Sequence, residues 1–303
     1  MKKNQNTANV FIVTRGSFVD GWGIRTTIFL KGCPLRCLWC CNPESQSIAP
    51  ELGVEPEDCT QCGLCKDLCP ALSLGSAGPV VDRSLCDDCG KCAAVCPTNA
   101  LAMYGEVYTV DRAFDELIRD KHYYERSGGG VTIGGGEATL SDAFTYELTT
   151  RLQEAGIHVA IDTCGYTGSP QALKILEQAD LLLFDIKGVD PARHLADTGV
   201  SNNVIHDTLL HLGALGKDII IRLPLIPGHT DDDETLIKEA DLIKSVGSVK
   251  RIDLIPFHDF GSVKYRRLGK PYPMDGATTL SDDRVLQIAE IFANTGIPTQ
   301  VGG

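Results

Sequence analysis

The chain has 303 residues, is 43% hydrophobic and 22% charged, and carries a formal net charge of −12, which fits a globular α/β domain with a small insertion. The acidic balance argues against nucleic acid as the main partner, because no basic excess exists to displace counterions, and no apolar run reaches the ~18 residues of a membrane span. The first residues lack a signal-peptide core, so we expect a cytoplasmic protein whose thirteen cysteines bind metal rather than form disulfides.

Apolar or β-branched runs alternate with helical patterns along most of the chain. The runs predict strands at 26–30, 131–133, 157–161, 181–184, 219–223, 252–255 and, more briefly, 297–301. The helical patterns include an apolar stripe at 110–118 and begin elsewhere behind N-cap residues, namely Ser141, Ser169, Thr230 and Ser281. Such alternation indicates parallel β/α units. Because a closed barrel needs eight units, we expect an α/β fold with a partial (β/α)6 TIM-like barrel.

Six predicted strands run directly into loops rich in glycine, cysteine or charged residues. These loops are GCPLRCLWCC at 32–41, GGGE at 134–137, DTCG at 162–165, DIKG at 185–188, the stretch from Arg222 to PG at 227–228, and PFH at 256–258. In parallel β/α folds, ligands and catalytic groups collect at the carboxyl ends of the strands. The sequence therefore predicts one site built from six loops.

Eight cysteines between residues 59 and 96 form an internal repeat. The spacing Cys-x2-Cys-x2-Cys-x3-Cys-Pro occurs twice and is typical of two-cluster ferredoxins, in which the fourth cysteine ligates the other cluster. Zinc also accepts four thiolates, but the doubled spacing and both prolines favour two 4Fe–4S clusters. The predicted ligand sets are Cys59, Cys62, Cys65 and Cys96 for one cluster, and Cys86, Cys89, Cys92 and Cys69 for the other.

The first cysteine motif differs from this repeat because it supplies three regularly spaced thiols and not four. Cys33, Cys37 and Cys40 have the spacing C-x3-C-x2-C, and three thiolates leave one iron of a 4Fe–4S cluster without a protein ligand. An open coordination position marks a site that binds something, and the amino and carboxylate groups of S-adenosylmethionine (SAM) suit it. Cys41 is interpreted as a neighbour of this cluster and Cys164 as a packed, inert thiol. A ligand role for Cys41 is the alternative.

The motif, with Trp39 before its last cysteine, resembles the radical SAM superfamily. More narrowly, the chain is similar to the activating enzymes of glycyl radical enzymes, through SFVDGWGIR, GCPLRCLWC, GGGEA, DTCGY, FDIKG, RLPLIPG and LIPFH. The resemblance implies a barrel that starts at 1–50 and continues at 104–303, with a ferredoxin-like insert at 51–103. It also implies three 4Fe–4S clusters, SAM, a glycyl radical enzyme as protein substrate and flavodoxin or ferredoxin as electron donor.

The resemblance also implies roles for individual residues. Cys33, Cys37 and Cys40 would hold the SAM cluster, and Lys187 would meet the SAM carboxylate. The residues expected to contact SAM or line its site are Trp39, Cys41, Asn42, Gly135, Gly136, Glu137, Asp185, Lys187, Arg222 and His258. Glu137 belongs to the loop that meets the SAM amino group. Asp162 and Thr163, with Asp185, resemble a monovalent-cation site of some members.

Three positions depart from the family pattern. Cys41 stands where many members have histidine, Ala138 replaces a proline, and Trp22 occupies the third position of an Asp-Gly-Pro-Gly stretch. Trp22 is expected to alter how a partner's loop is received. Two other functional classes are compatible with the residues: a radical SAM enzyme that acts on a small molecule, and a ferredoxin-type electron carrier.

Overall fold

The computed structural model describes residues 6–302, which contain thirteen strands, ten α-helices and four short 3-10 helices. The strands are β1 (Thr7–Ser17), β2 (Arg25–Leu30), β3 (Glu51–Val54), β4 (Leu72–Gly75), β5 (Gly78–Val81), β6 (Leu101–Tyr104), β7 (Glu106–Thr109), β8 (Gly130–Gly135), β9 (His158–Thr163), β10 (Leu181–Asp185), β11 (Ile219–Leu225), β12 (Val249–Pro256) and β13 (Thr299–Val301). The helices are α1 (Lys91–Ala94), α2 (Val110–Leu117), α3 (Lys121–Ser127), α4 (Asp142–Glu154), α5 (Pro170–Gln178), α6 (Pro191–Thr198), α7 (Asn203–Ala214), α8 (Asp233–Val246), α9 (Phe260–Arg267) and α10 (Asp282–Ala293).

The main sheet has nine strands in the order β13-β12-β11-β10-β9-β8-β2-β1-β7 within residues 6–302. Seven strands of this sheet, β2 and β8 to β13, are parallel. They lie at the seven predicted positions, so all seven predicted strands are confirmed. Because the parallel strands follow one another in chain order, right-handed crossovers place their helices on one face. The sheet is open, and β1 and β7 extend it antiparallel at one edge.

The central strands are apolar because both faces of the sheet are covered. One face packs against the helices through a core that includes Ile133, Ile161, Phe184, Ile221 and Leu254, each no more than 1% exposed. On the opposite face, Ala160, Leu181, Leu183 and Ile220 surround the partly buried Trp22. Trp22 also lies under the guanidinium of Arg251, 4.9 Å from the ring centroid. The side chain of Trp22, which departs from the family pattern, therefore packs on this inner face of the sheet.

The predicted N-caps have mixed outcomes. Ser169 and Ser281 accept hydrogen bonds from the third residue beyond each of them, as N-caps do. Ser141 precedes α4 but makes no capping bond, because a 3-10 turn at Ala138–Ser141 leads into the helix and is capped by Glu137. The N-cap predicted at Thr230 is wrong: Asp232 caps α8, while the Thr230 hydroxyl donates to the Pro224 carbonyl.

The cysteine-rich segment between β2 and β7 has its own small elements. β3 pairs antiparallel with β6, and β4 pairs with β5. Its core is small and consists largely of Leu52, Leu72, Leu101 and the thiols of Cys65 and Cys92. α9 packs beside β3, and Arg83 donates to the Arg267 carbonyl at 3.2 Å. The segment therefore contacts the main sheet domain through α9.

Residues 6–302 include no helix with the length and apolarity needed to cross a membrane.

Candidate functional site: a cysteine-lined cavity at the strand ends

A cavity of about 200 Å³ lies at the carboxyl ends of the parallel strands. It brings together residues from all six predicted loops. The lining residues include Cys33, Cys37, Trp39, Cys40, Cys41, Asn42, Gly135, Gly136, Asp162, Thr163, Cys164, Asp185, Lys187, Arg222 and His258. Of the predicted SAM-site residues, Glu137 is the one that does not line it. Ser45, Pro224 and Ile226 also line the cavity; none of them carries a charge or a thiol that marks it as a site residue in the sequence.

The loop that carries Cys33, Cys37 and Cys40 is held by backbone hydrogen bonds to the end of α6. The amide of Arg36 donates to the Thr198 carbonyl at 2.7 Å, and that of Leu38 donates to the Asp197 carbonyl at 3.0 Å. Burial raises the pKa of Cys33 and of Cys40 to about 12. Metal binding requires deprotonated thiols, so iron would displace these protons.

Glycines at the end of β8 allow the backbone to reach the cavity wall. Gly135 has a φ of +124°, which favours glycine, and a Cβ there would lie 2.2 Å from the Leu30 carbonyl oxygen. A Cβ on Gly136 would lie 2.1 Å from the Gly32 carbonyl oxygen. Since side chains are excluded at both positions, backbone amides and carbonyls form this part of the wall.

Glu137 is 1% exposed and fully engaged with neighbouring protein donors. Its carboxylate accepts bonds from the Thr163 hydroxyl at 2.9 and 3.0 Å, and from the amide of Cys164 at 2.9 Å. The thiol of Cys164 lies 3.0 Å from the same carboxylate. Thr139 adds a bond from its amide and another from its hydroxyl. The carboxylate therefore joins the end of β8 to the end of β9.

Charged groups alternate in sign across the cavity floor. Lys187 Nζ lies 2.9 Å from Asp185 Oδ2, and the guanidinium of Arg222 lies 3.2 Å from Asp162 and 3.9 Å from Asp185. Burial raises the pKa of Asp162 to about 7, against the opposing effect of Arg222. Burial lowers the pKa of Lys187, but Asp185 and Cys37 raise it by more. The pKa of Lys187 therefore lies above the usual value for lysine. Lys187 is therefore a cation directed into the cavity.

The remaining predicted residues line the wall near the cysteine loop. Trp39 is 7% exposed, and its ring lies 5.8 Å from the ring of His229. The Asn42 side-chain oxygen accepts a 2.6 Å bond from Lys264. The ring of His258 lies 4.3 Å from that of Phe260. Cys41 is exposed, whereas Cys164, 5% exposed, is buried as expected.

The cysteines of the second segment lie in two groups. A small cavity is lined by the thiol-bearing residues Cys69, Cys86, Cys89 and Cys92. In the other group, burial raises the pKa of Cys65, and the neighbouring Cys96, Cys59 and Cys62 raise it further. Across residues 6–302, no three side chains of His, Cys, Asp or Glu converge on the position of a single metal ion.

Comparisons with known proteins agree with this architecture. The model of the Radical SAM superfamily matches residues 27–240. The chain is 39% identical over 292 residues to the trans-4-hydroxy-L-proline dehydratase activating enzyme of Clostridioides difficile, covering 95% of this chain and 96% of that one. It is 41% identical over 287 residues to the (2S)-3-sulfopropanediol sulfolyase activating enzyme of Bilophila wadsworthia, covering 91% and 93%.

A solved structure supports the fold. A radical SAM methyltransferase from Sphaerobacter thermophilus superposes with a TM-score of 0.52 at 14% identity, covering 91% of this chain and 66% of that one. At this identity the likeness concerns the fold alone. The family match and the near full-length relatives show that the chain belongs to the radical SAM superfamily and, within it, to the activating enzymes of glycyl radical enzymes.

Proposed function

We propose that Cys33, Cys37 and Cys40 hold a 4Fe–4S cluster whose open iron receives SAM, and that the reaction ends with hydrogen abstraction from a glycine of a partner enzyme. The family implies SAM and one 4Fe–4S cluster. When bound, they supply a 5′-deoxyadenosyl radical through one-electron cleavage of the sulfonium C–S bond. The observation that carries the proposal is that all three cysteines share one cavity with Lys187 and the glycines of β8.

The protein's own groups bind and orient SAM in this proposal. Lys187 presents a positive charge to the SAM carboxylate, as such charge-assisted bonds require. Gly135 and Gly136 offer backbone groups to the amino end. Trp39, Asn42 and His258 line the remaining wall near the nucleoside. Glu137, which is held by Thr163 and Cys164, fixes the glycine loop.

We propose the crossed arrangement for the two further clusters, with ligands from residues 51–103. The shared cavity of Cys69, Cys86, Cys89 and Cys92 supports one set. The proximity of Cys96 to Cys65 supports the other. These clusters would pass electrons from a flavodoxin or ferredoxin donor. The doubled spacing and both prolines fit two clusters better than zinc.

The proposed monovalent cation would bind at Asp162, Thr163 and Asp185. In the structure, Arg222 already offsets both carboxylates, and the Thr163 hydroxyl donates to Glu137. Binding of a cation there therefore requires Arg222 to share or leave these carboxylates.

The partner is tested by co-incubation of the enzyme with SAM, a low-potential reductant and a candidate glycyl radical enzyme. The dehydratase and the sulfolyase activated by the two relatives above are the first test partners. A glycine-centred doublet in the electron paramagnetic resonance (EPR) spectrum, accompanied by 5′-deoxyadenosine, supports the proposal. Formation of 5′-deoxyadenosine without a doublet in any glycyl radical enzyme would favour a small-molecule substrate. Absence of both products would favour an electron carrier.

A further inference from the structure

Tyr272, in the loop that follows α9, has a hydroxyl group that is buried without a partner. The residue is partly exposed, but its hydroxyl oxygen is enclosed and makes no hydrogen bond to any residue within 6–302. Leaving a buried polar group unpaired costs about 1–3 kcal/mol. Such a group is therefore expected where something that the protein binds supplies the missing partner.

The ring of Tyr272 and the loop that carries the three cluster cysteines both lie next to Gly261, the second residue of α9. A Cβ there would lie 3.1 Å from the carbonyl oxygen of Cys40 and 3.5 Å from Cε2 of Tyr272. Tyr272 also packs against the apolar cluster that contains Cys37 and Trp39. The ordinary pKa of a tyrosine hydroxyl is about 10, so at neutral pH the hydroxyl of Tyr272 keeps its proton and is a donor.

A second tyrosine beside it provides a contrast. The ring centroids of Tyr265 and Tyr272 are 4.8 Å apart. Tyr265 is 4% exposed, and its hydroxyl accepts a 3.4 Å bond from the side-chain amide of Gln46. The two rings are adjacent, but of the two hydroxyls the one on Tyr272 has no hydrogen-bond partner among the described residues.

We propose that the Tyr272 hydroxyl donates a hydrogen bond to a sulfur atom at the Cys40 corner of the SAM cluster. This inference rests on the cluster ligation proposed above. Hydrogen bonds to cluster sulfurs stabilise the more negative, reduced state and raise the reduction potential. Tyr272 is thus a positioning and tuning residue, which makes the cluster easier to reduce before SAM is cleaved.

The test is a redox titration of the intact enzyme followed by EPR, using the signal that changes when SAM is added. Tyr272→Phe should lower the ratio of reduced to oxidised cluster about tenfold at a fixed potential, which equals 59 mV for a one-electron couple. Tyr265→Phe is the matched control, because it removes the same atom from the adjacent ring, and its potential should stay near the wild-type value. Electron–nuclear double resonance after exchange into D2O should show an exchangeable proton at the cluster that Tyr272→Phe loses.

An unchanged potential and an unchanged proton coupling in Tyr272→Phe would overturn the inference while leaving the cluster assignment intact. If Tyr272→Phe fails to assemble the cluster, the test is made on the wild-type enzyme. Lack of any exchangeable proton coupled to the wild-type cluster overturns the inference. Absence of a SAM-responsive signal in the wild-type enzyme would instead contradict the proposed function itself.

Discussion

Lys187 Nζ lies 2.9 Å from the Oδ2 atom of Asp185 at the end of β10, inside the cavity lined by the cluster cysteines. The ion pair fixes the ammonium in a position where an incoming carboxylate can share it. Lys187→Gln removes the charge and leaves Asp185 with Arg222, 3.9 Å away, as its remaining cationic neighbour. Because a bond to a charged group contributes about 1.5–3 kcal/mol, the Kd for SAM should rise roughly tenfold or more.

Equilibrium binding of SAM to the reconstituted enzyme measures this effect. Lys238→Gln is the control, because Lys238 is an exposed lysine paired with Glu234 at 2.7 Å on α8. SAM binding that is equally strong in both variants would contradict the role of Lys187.

Gly135→Ala should abolish SAM binding and lower stability. A Cβ at this position meets the Leu30 carbonyl oxygen at 2.2 Å, so the β8 and β2 strands would have to separate. We expect a loss of about 3 kcal/mol or more, in the range of severe backbone conflicts. Gly156→Ala is the matched control: its φ is +74° but no atom lies within 4 Å of the added Cβ, so the expected cost is about 1–2 kcal/mol. Similar melting temperatures for the two variants would refute the steric argument.

Glu239 makes stability depend on pH from within α8. It is 2% exposed, and burial, with a contribution from Asp232, raises its pKa from 4.5 to about 8. The folded state therefore binds this proton more tightly than the unfolded state. Stability contributed by the protonated carboxyl is complete below about pH 4.5 and is lost as the pH rises towards 8, by about 1.4 kcal/mol per pH unit.

Glu239→Gln should remove this slope. Melting temperatures of the two proteins should be similar near pH 5, and the variant should be more stable at pH 8. If the wild-type protein melts at a higher temperature than Glu239→Gln at pH 8, the folded protein accommodates the charged carboxylate of Glu239.

Paired substitutions test the crossed ligation in the second cysteine segment. If Cys69 shares a cluster with Cys86, then Cys69→Ala combined with Cys86→Ala should lose only about four irons per chain. Cys69→Ala combined with Cys59→Ala should lose about eight. The reverse pattern would indicate that each cysteine run holds its own cluster. Iron analysis of the anaerobically reconstituted proteins measures the difference.

The parallel sheet could be predicted from the sequence because each strand is apolar on both faces and is followed by a distinctive loop. β1 and β7 could not be recognised in this way. Both lie antiparallel to their neighbours at the sheet edge, and β7 pairs with β1 from beyond the cysteine-rich segment, far along the chain. β1 also alternates buried and exposed positions only in part. α9 carries mostly polar residues, so no apolar stripe marks it as a helix.

Some local signals were present and were missed. Asp190 accepts a bond from the Arg193 amide and precedes Pro191, which together form a regular start for α6. The candidate cysteines were predictable from their spacing, whereas the partners that hold them were not. The bonds from Arg36 and Leu38 to the end of α6 are made by backbone groups. Every residue type has these groups, so such bonds cannot be predicted from the side chains in the sequence. The unpartnered hydroxyl of Tyr272 likewise becomes visible only once the surrounding loops are packed.

Cys33, Cys37 and Cys40 are proposed to hold the cluster that cleaves SAM. The most direct test is the amount of 5′-deoxyadenosine formed from SAM under reducing, anaerobic conditions by the wild-type enzyme and by Cys40→Ala. Iron analysis of the same samples serves as the control for the other clusters. We expect product from the wild-type enzyme and none from the variant, which should keep about eight irons per chain. Undiminished 5′-deoxyadenosine formation by Cys40→Ala would contradict this cluster assignment.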